Sequence, residues 1–449
     1  VRTAVIGSGI SGTAAAWLLA GAGHDVHLLE RRPRLGGHTH TVTVDAAGTG
    51  EDGRSSAHNR GVDPEQDAGR LAVDTGFIVY NEPTYPLLTA LFDELDVTTQ
   101  ASDMSWSLRC EHHDLEYAGN PRGIAAQPRN LARPGYLRFL ADIGRFNRIA
   151  NGIADDPRQT RLTLGEFVRV ARFGEDFARH YLLPMAAAIW STGTGRVEDF
   201  PLRTLVDFFR NHGLLGVSTH HPWRTVAGGT STYLSAMLSR LAPENVHLGT
   251  GAQAVTRDRE GATVVDTDGD SHRFDAVVLA CHADTALELL TDPSDDEREL
   301  LGAWEYAPND AWLHTDSRLL PRTEAARASW NYLVDDCRSG SARTSLTYDM
   351  NRLQSIPREG VGPGGTPTDW LVTLNPSTPP ATDTVRWRGH WAHPTFTPAS
   401  VASQDRLDEL SGQRHTFYAG AYHRYGFHED GLWSAVRAVR HLGVRWPAA

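Results

Sequence analysis

The chain opens on a short apolar run, Val1 to Ile6, that passes directly into Gly7-Ser8-Gly9-Ile10-Ser11-Gly12 and then into the small-residue stretch Thr13 to Ala20. Glycines at this spacing between a strand and a helix each have a separate steric duty. The first permits a tight turn, the second lets the backbone approach a pyrophosphate, and the third lets helix and strand pack closely. The helix so opened directs its unpaired N–H groups at the phosphates. His24 to Leu29 reads as a second strand and ends at Glu30, 18 residues after Gly12, close to the roughly 20 expected of an acid that binds ribose hydroxyls. Strand, glycines, helix, strand and acid in register predict a Rossmann-type α/β unit.

The segment after Glu30 separates the dinucleotides. The chain reads Arg31-Arg32-Pro33-Arg34-Leu35-Gly36-Gly37-His38-Thr39-His40-Thr41, whereas an NADP site would set a basic residue in place of Glu30. An acid, a short loop and a second glycine pair resemble the signature of FAD enzymes with the glutathione-reductase type of fold. FAD is therefore the expected cofactor, held non-covalently, with contacts at Gly7, Ser8, Gly9, Ile10, Ser11, Gly12, Glu30, Arg31, Gly36, Gly37, His38 and Thr39.

Composition narrows the chemistry. All 43 Lys+Arg residues are arginine, so no Schiff base and no lysine general base can form. A formal charge of -12 argues against an electrostatic grip on nucleic acid or anionic lipid, which needs a basic face. Cys110, Cys281 and Cys337 are far apart in sequence and show no CxxC or Cys/His ligand spacing, so neither a zinc site nor a disulfide framework is expected. The adjacent pairs His112-His113 and His220-His221 do not change this, since neighbours on one loop rarely ligate one ion. There is no GxSxG, P-loop lysine or kinase signature. With no signal-peptide pattern at the start and no run of roughly 18 to 20 apolar residues, the expected location is cytoplasmic, without a transmembrane segment.

Further motifs run along nearly the whole chain. Val226-Ala227-Gly228-Gly229-Thr230-Ser231-Thr232-Tyr233 is a glycine pair before a helix, Phe274 to Ala280 closes a strand-rich stretch begun at Val246, and Phe417-Tyr418-Ala419-Gly420-Ala421 with Gly426-Phe427-His428-Glu429-Asp430-Gly431 lies near the end. Together these resemble the flavin-containing amine oxidase, phytoene desaturase and protoporphyrinogen oxidase superfamily. The resemblance implies further cofactor contacts at Ala254, Val255, Gly420, Phe427, His428 and Glu429. Gly-Gly-His-Thr-His-Thr-Val, Asp74 to Asn81 and Gly-Phe-His-Glu-Asp-Gly look closer still to a bacterial subgroup of predicted FAD-binding proteins linked with fatty-acyl methyltransferases of the cyclopropane-synthase type. Some of that subgroup resemble a fatty-acyl desaturase of furan fatty acid formation. The chain departs from the amine oxidases in having no lysine near flavin N5, in Phe427 where an aromatic hydroxyl is usual, and in His38 where arginine usually follows the glycine pair.

The expected organisation interleaves two domains. The FAD-binding domain takes residues 1–85, with a polar insertion at 45–70, then 223–290 and 401–449. A helical cap takes 86–222, from the periodicity of Leu87 to Leu95, Tyr136 to Ile149 and Phe177 to Trp190. A substrate-domain sheet takes 291–400, with strands at Trp312 to Thr315, Ser329 to Leu333, Thr344 to Asn351 and Trp370 to Leu374.

Flavin supplies the electron sink, so few side chains need be catalytic. His38 and His40 are the acid-base candidates, because histidine exchanges a proton near neutral pH. Contact with phosphate or flavin edges is the alternative role for both. Asp74, Tyr80, Asn81, Trp190, Tyr348, Trp391 and Tyr425 are the candidate pocket residues, with His423 beside them. The leading functional expectation is oxidation or reduction of a C–C bond in a fatty-acyl or similar apolar chain, with possible peripheral membrane contact. Double-bond isomerisation, amine oxidation and a non-catalytic role beside a fatty-acyl methyltransferase remain open alternatives.

Overall fold

The computed structural model describes residues 1–45, 70–153, 156, 161–190, 197–215, 221–337, 345–359 and 366–446. The polar insertion expected at 45–70 lies almost wholly outside them, as does His220. In chain order, β1 (Arg2–Ile6), α1 (Ile10–Gly21) and β2 (Asp25–Glu30) precede the antiparallel pair β3 (Thr41–Asp45) and β4 (Arg70–Asp74). Next come α2 (Pro86–Glu94), β5 (Thr99–Ser102), β6 (Trp106–Cys110), β7 (Leu115–Ala118) and α3 (Pro134–Ile153). A π turn at Ala178–Leu182 leads into α4 (Leu183–Trp190), followed by α5 (Leu202–Asn211), β8 (Trp223–Val226) and α6 (Ser231–Leu238). The strands β9 (Val246–Leu248), β10 (Ala252–Arg257), β11 (Ala262–Asp266), β12 (Ser271–Phe274) and β13 (Ala276–Leu279) lead to α7 (Asp295–Gly302). The last part holds β14 (Glu305–His314), β15 (Trp330–Val334), β16 (Ser345–Asp349), β17 (Leu371–Leu374), β18 (Val385–Thr395), β19 (Thr416–Tyr418) and α8 (His428–Arg440).

The first sheet is parallel throughout, in the order β19-β13-β1-β2-β9. Parallel strands covered on both faces need continuous apolar runs, which Ala4-Val5-Ile6 and Ala276 to Leu279 supply, all buried. Helix α1 lies so close to β1 that a Cβ on Gly12 would stand 1.8 Å from the Gly7 carbonyl oxygen. Helix α8 packs on α1 just as tightly, with a Cβ on Gly431 meeting Ile10 Cγ2 at 2.7 Å.

The second sheet has the order β18-β14-β17-β16-β15-β6-β7. Residues opposite one another in paired strands share a face, and the register sets Trp387, Leu313, Val372, Tyr348, Trp330 and Trp106 in one row. That apolar row runs across the sheet. Its reverse face carries a buried polar row in which His314 Nε2 lies 2.7 Å from Thr373 Oγ1, Thr373 lies 2.8 Å from Thr347, and Ser107 donates to Asn331 Oδ1 at 2.9 Å. Polar groups so buried are tolerated because they satisfy one another.

Strands β14 to β17 fall on the segments predicted for them. Two features differ. Strands β6 and β7 lie inside the stretch expected to be a helical cap, and they join the substrate sheet because β6 pairs in parallel with β15, far along the chain. The 11-residue strand β18 was not expected, although Val385, Trp387 and Trp391 alternate with Arg386, Arg388 and His390 in the period of a half-buried strand. Among the described residues no helix is long and apolar enough to cross a membrane.

Helix α7 is tied down by a buried ion pair. Arg257 makes a two-pronged contact with Glu297 at 2.7 and 3.0 Å, and Tyr418 donates to the same carboxylate at 2.5 Å. Burial alone would raise the Glu297 pKa, but the hydrogen bonds from Arg257, Tyr418 and the Ser294 N–H prevail and hold it at about 2. Its contribution is therefore present above the ordinary 4.5 and is lost as pH falls through about 2. Glu297→Gln should cost about 3 kcal/mol by urea unfolding at pH 7, because it leaves a buried guanidinium short of charge. A loss under about 0.5 kcal/mol would mean the pair is effectively solvated.

Candidate functional site

Two helix N-termini converge beside the parallel sheet. Helix α1 has no side-chain cap and no acidic residue in its first turn, so its positive end is uncompensated and suited to an anion. Gly7 needs its φ of +99° for the turn, with Ala280 O only 2.6 Å from an added Cβ, whereas Gly9 has nothing within 4 Å of that position. Of the three glycines of the loop, only Gly9 faces open space, which is what a pyrophosphate against its backbone requires. Gly37 abuts it, its would-be Cβ standing 3.0 Å from Gly9 Cα. Glu30 Oε2 accepts from Ser8 N at 3.0 Å and Ser8 Oγ at 2.6 Å, and Oε1 accepts from Arg32 N at 2.8 Å. The carboxylate is thus fixed at the end of β2. Arg31 is exposed, and Ile10 and Ser11 are buried under α8.

The second helix end is that of α8. Phe427 N donates to Asp430 Oδ2 at 2.9 Å, and the first intrahelical bond runs from Gly431 N to Phe427 O. The N–H groups of His428, Glu429 and Asp430 therefore precede any helical acceptor. The His428 ring stacks on Phe77 at 3.7 Å, and its Nε2 closes a buried triangle with Thr39 Oγ1 at 3.0 Å and Tyr233 Oη at 2.9 Å. Burial lowers the pKa of this ring to about 3, so it is neutral.

His38, the residue after the glycine pair, packs 4.8 Å from the Trp391 ring and 5.1 Å from that of His393. Burial, then the nearby His393, His282 and His428, hold its pKa well below the usual value. Its Nε2 is buried without a hydrogen-bond partner. Orphaned polar atoms are rare in folded proteins, and this one belongs to the segment expected to run beside the flavin. The residues present thus fit FAD: an open pyrophosphate cradle, two helix ends, a ribose-binding acid and an unpartnered donor or acceptor.

Several expected residues serve other ends. His40 is bound through Nδ1 to Thr75 Oγ1 at 2.6 Å, and burial lowers its pKa to about 3, so it is a satisfied core histidine and not an acid-base group at neutral pH. Asp74 accepts from Thr41 Oγ1, from the N–H and hydroxyl of Thr230, and from Gln354 Nε2 at 2.6 to 2.9 Å. It is a closed junction between domains rather than a pocket wall. The Glu429 carboxylate caps α2 by accepting from Leu87 N and Leu88 N at 3.1 and 3.0 Å, which leaves only its backbone for a cofactor. Tyr80 packs on Phe92, and Asn81 caps the turn at Thr84. His423 lies 4.7 Å from the Tyr422 ring at a tilt of 37°, with Asp408 and Arg437 nearby. Gly420 N donates to Ser434 Oγ at 2.8 Å, Ala254 is half-buried, and Val255 is buried with its carbonyl accepting from Thr291 N.

The remaining pocket candidates separate into three places. Trp190 donates to the Tyr425 carbonyl at 3.0 Å and packs on Phe200 and Phe208, which also stacks on Phe427. Trp391 stands at the opposite side with His38. Tyr348 meets Trp330 edge-on at 5.1 Å on the apolar face of the second sheet. Sequence reasoning missed Tyr233, His282 and His393. Tyr233 carried a signal, standing one turn after the pair Gly228-Gly229, whereas His393 is placed by β18, which was itself missed.

Gly9→Ala should leave far-UV dichroism unchanged but lower FAD content per chain at least about 10-fold, since its methyl enters cofactor space. Gly12→Ala, which collides with Gly7, should lower the yield of folded protein instead. Equal FAD content in Gly9→Ala and the parent would contradict the cradle.

A family model described as flavin containing amine oxidoreductase matches residues 10–352. A Mycobacterium tuberculosis protein named as a flavin-containing monoamine oxidase, AofH, is 28% identical over 287 residues, 60% of this chain and 55% of that protein. The chain thus spans about half the length of the curated relatives it matches. Among solved structures, cyclohexylamine oxidase from Brevibacterium oxydans has a TM-score of 0.65 at 15% identity over 99% of both chains. A CLA-producing fatty acid isomerase from P. acnes has a TM-score of 0.63 at 17% identity over 98% of both.

Proposed function

This chain belongs to the flavin containing amine oxidoreductase family, and we propose that it is an FAD-dependent oxidoreductase that desaturates, or in reverse saturates, a C–C bond of a fatty-acyl or similarly apolar chain. The observation that carries the proposal is the apolar row of the second sheet. It crosses from Trp387 to Trp106, starting on the strand that holds Trp391 against His38. Leu313 and Val372 in this row are fully buried, whereas Trp387, Trp330 and Trp106 stay partly exposed, and a substrate that makes no hydrogen bonds would gain by burying methylenes against them, at roughly 0.8 kcal/mol each.

Bound FAD supplies the two-electron acceptor. The chain's own groups do the rest. The N-termini of α1 and α8 hold anionic or carbonyl oxygens, and the aromatic cluster of Trp190, Phe208 and Phe427 excludes water between the cap and the α8 N-terminus. His38, neutral and weakly basic, orients through Nε2 rather than storing a proton.

Amine oxidation is the second reading, favoured by the name of the mycobacterial relative. The carboxylates at the α8 N-terminus give an ammonium no free partner, because Asp430 and Glu429 are taken by the N–H groups of Phe427, Leu87 and Leu88. The sequence also has no lysine. The fatty acid isomerase of the same fold supports an acyl substrate and leaves isomerisation as a third outcome.

Anaerobic addition of an unsaturated phospholipid extract to the purified holoprotein separates the three. Bleaching of the flavin band with a matching change in acyl double-bond count is expected, and putrescine or cyclohexylamine should leave the band intact. Bleaching by amines alone would overturn the proposal in favour of amine oxidation. A moved double bond without bleaching would overturn it in favour of isomerisation.

A further inference from the structure

A second cluster lies where the cap meets the far edge of the seven-stranded sheet. Cys110 ends β6, and His113 follows in the turn to β7. The parallel pairing of β15 with β6 sets Val334 opposite Cys110, so Cys337 reaches the same corner. His180 comes from the cap, on the π turn Ala178–Leu182. Expectation from sequence separated these cysteines, and strand pairing reunites them.

One ligand atom from each of Cys110, His113, His180 and Cys337 lies within 4.8 Å of the others. His113 Nδ1 is 3.0 Å from Cys337 Sγ and 3.7 Å from Cys110 Sγ. These distances straddle the roughly 3.5 Å edge of a tetrahedron with bonds of about 2.3 Å to sulfur and 2.0 to 2.1 Å to nitrogen. His180 is 3% exposed; its Nδ1 faces the Asp176 carboxylate at 3.7 Å, and its Nε2 is buried with no hydrogen-bond partner.

We propose that Cys110, His113, His180 and Cys337 form a structural zinc(II) site that staples the cap to the edge of the substrate sheet. Two thiolates and two imidazoles gathered within 4.8 Å are the donor set that selects zinc among common divalent ions. Binding releases the thiol protons of Cys110 and Cys337 to solvent and leaves both imidazoles neutral, so ion and ligands together carry no net charge. That neutrality suits a corner in which Cys110 and His180 are buried. With four protein ligands no position is left for substrate, which makes the site structural.

Supporting groups are in place. The Asp176 carboxylate lies 3.7 Å from His180 Nδ1, on the side of the ring where carboxylates stand behind metal-bound histidines, and leaves Nε2 as the unpartnered face. A π turn inserts one extra residue into a helix and recurs at functional positions. Tyr117 Oη on β7 donates to the His180 carbonyl at 2.7 Å, which holds that turn against the sheet. His113 is exposed and gives an ion its way in from solvent.

The test is zinc content by plasma mass spectrometry on holoprotein incubated with zinc chloride and desalted, with FAD measured in the same samples. About one zinc per chain is expected, falling at least about 10-fold in Cys110→Ser/Cys337→Ser. Cobalt(II) in place of zinc should give the visible ligand-field bands of a tetrahedral site and a sulfur-to-cobalt band in the near ultraviolet. Should the double variant misfold, the exposed-site variant His113→Ala must weaken that spectrum with FAD content unchanged. Zinc below about a tenth of an equivalent, a His113→Ala spectrum identical to the parent, or a Cys110–Cys337 disulfide in the purified protein would each overturn the assignment.

Discussion

The contact of Gly12 with the backbone of Gly7, repeated where Gly431 of α8 meets Ile10 of α1, sets the distance on which the rest of the molecule depends. Side chains at either glycine would push the helices away from the sheet and from each other. With hydrogen at both, two positive helix ends arrive side by side, one bare of any acidic residue. Neither end could hold an anionic dinucleotide with the same charge complementarity if the other were displaced by a few ångströms. The cofactor site is thus a product of close packing, and its hydrogen-bonding groups are mostly backbone.

The second sheet solves a different problem. A sheet buried on both faces must hide its polar groups or dispense with them. Here one face is an aromatic and aliphatic row, while the other is a chain of hydroxyl, amide and imidazole groups that satisfy one another, from His314 to Ser107. The division gives the protein a dry surface toward the cap, with the indole N–H groups of Trp106 and Trp330 left unpartnered in it. Asp74, buried yet hydrogen-bonded by Thr41, Thr230 and Gln354, has its pKa pushed up to about 7 by burial.

The sequence revealed the elements whose signal is local. The glycine loop, the acid ending β2, the second glycine pair and the C-terminal helix could each be read from a window of a dozen residues, because steric demands at Gly7, Gly9 and Gly12 are met within that window. Three kinds of information could not. Strand β18 alternates from Val385 to Trp391 but carries Gly389 and Pro394, residues unfavourable in strands, and it was passed over with His393. Strands β6 and β7 belong to the sheet only through pairing with β15, which no periodicity near residue 106 discloses. The fate of a polar side chain is likewise non-local: His40 was expected as an acid-base group, Asp74 in the pocket and Glu429 against the cofactor, and partners from distant segments occupy each side chain.

A flavin held non-covalently in the cradle between α1 and α8 is the condition on which all the proposed chemistry depends. An absorbance spectrum of the purified protein, repeated on the supernatant after acid precipitation, tests that most directly. The expected result is a flavin spectrum that leaves the pellet entirely and chromatographs as FAD. Folded protein without flavin after incubation with FAD, or flavin that stays with the precipitate, would contradict it.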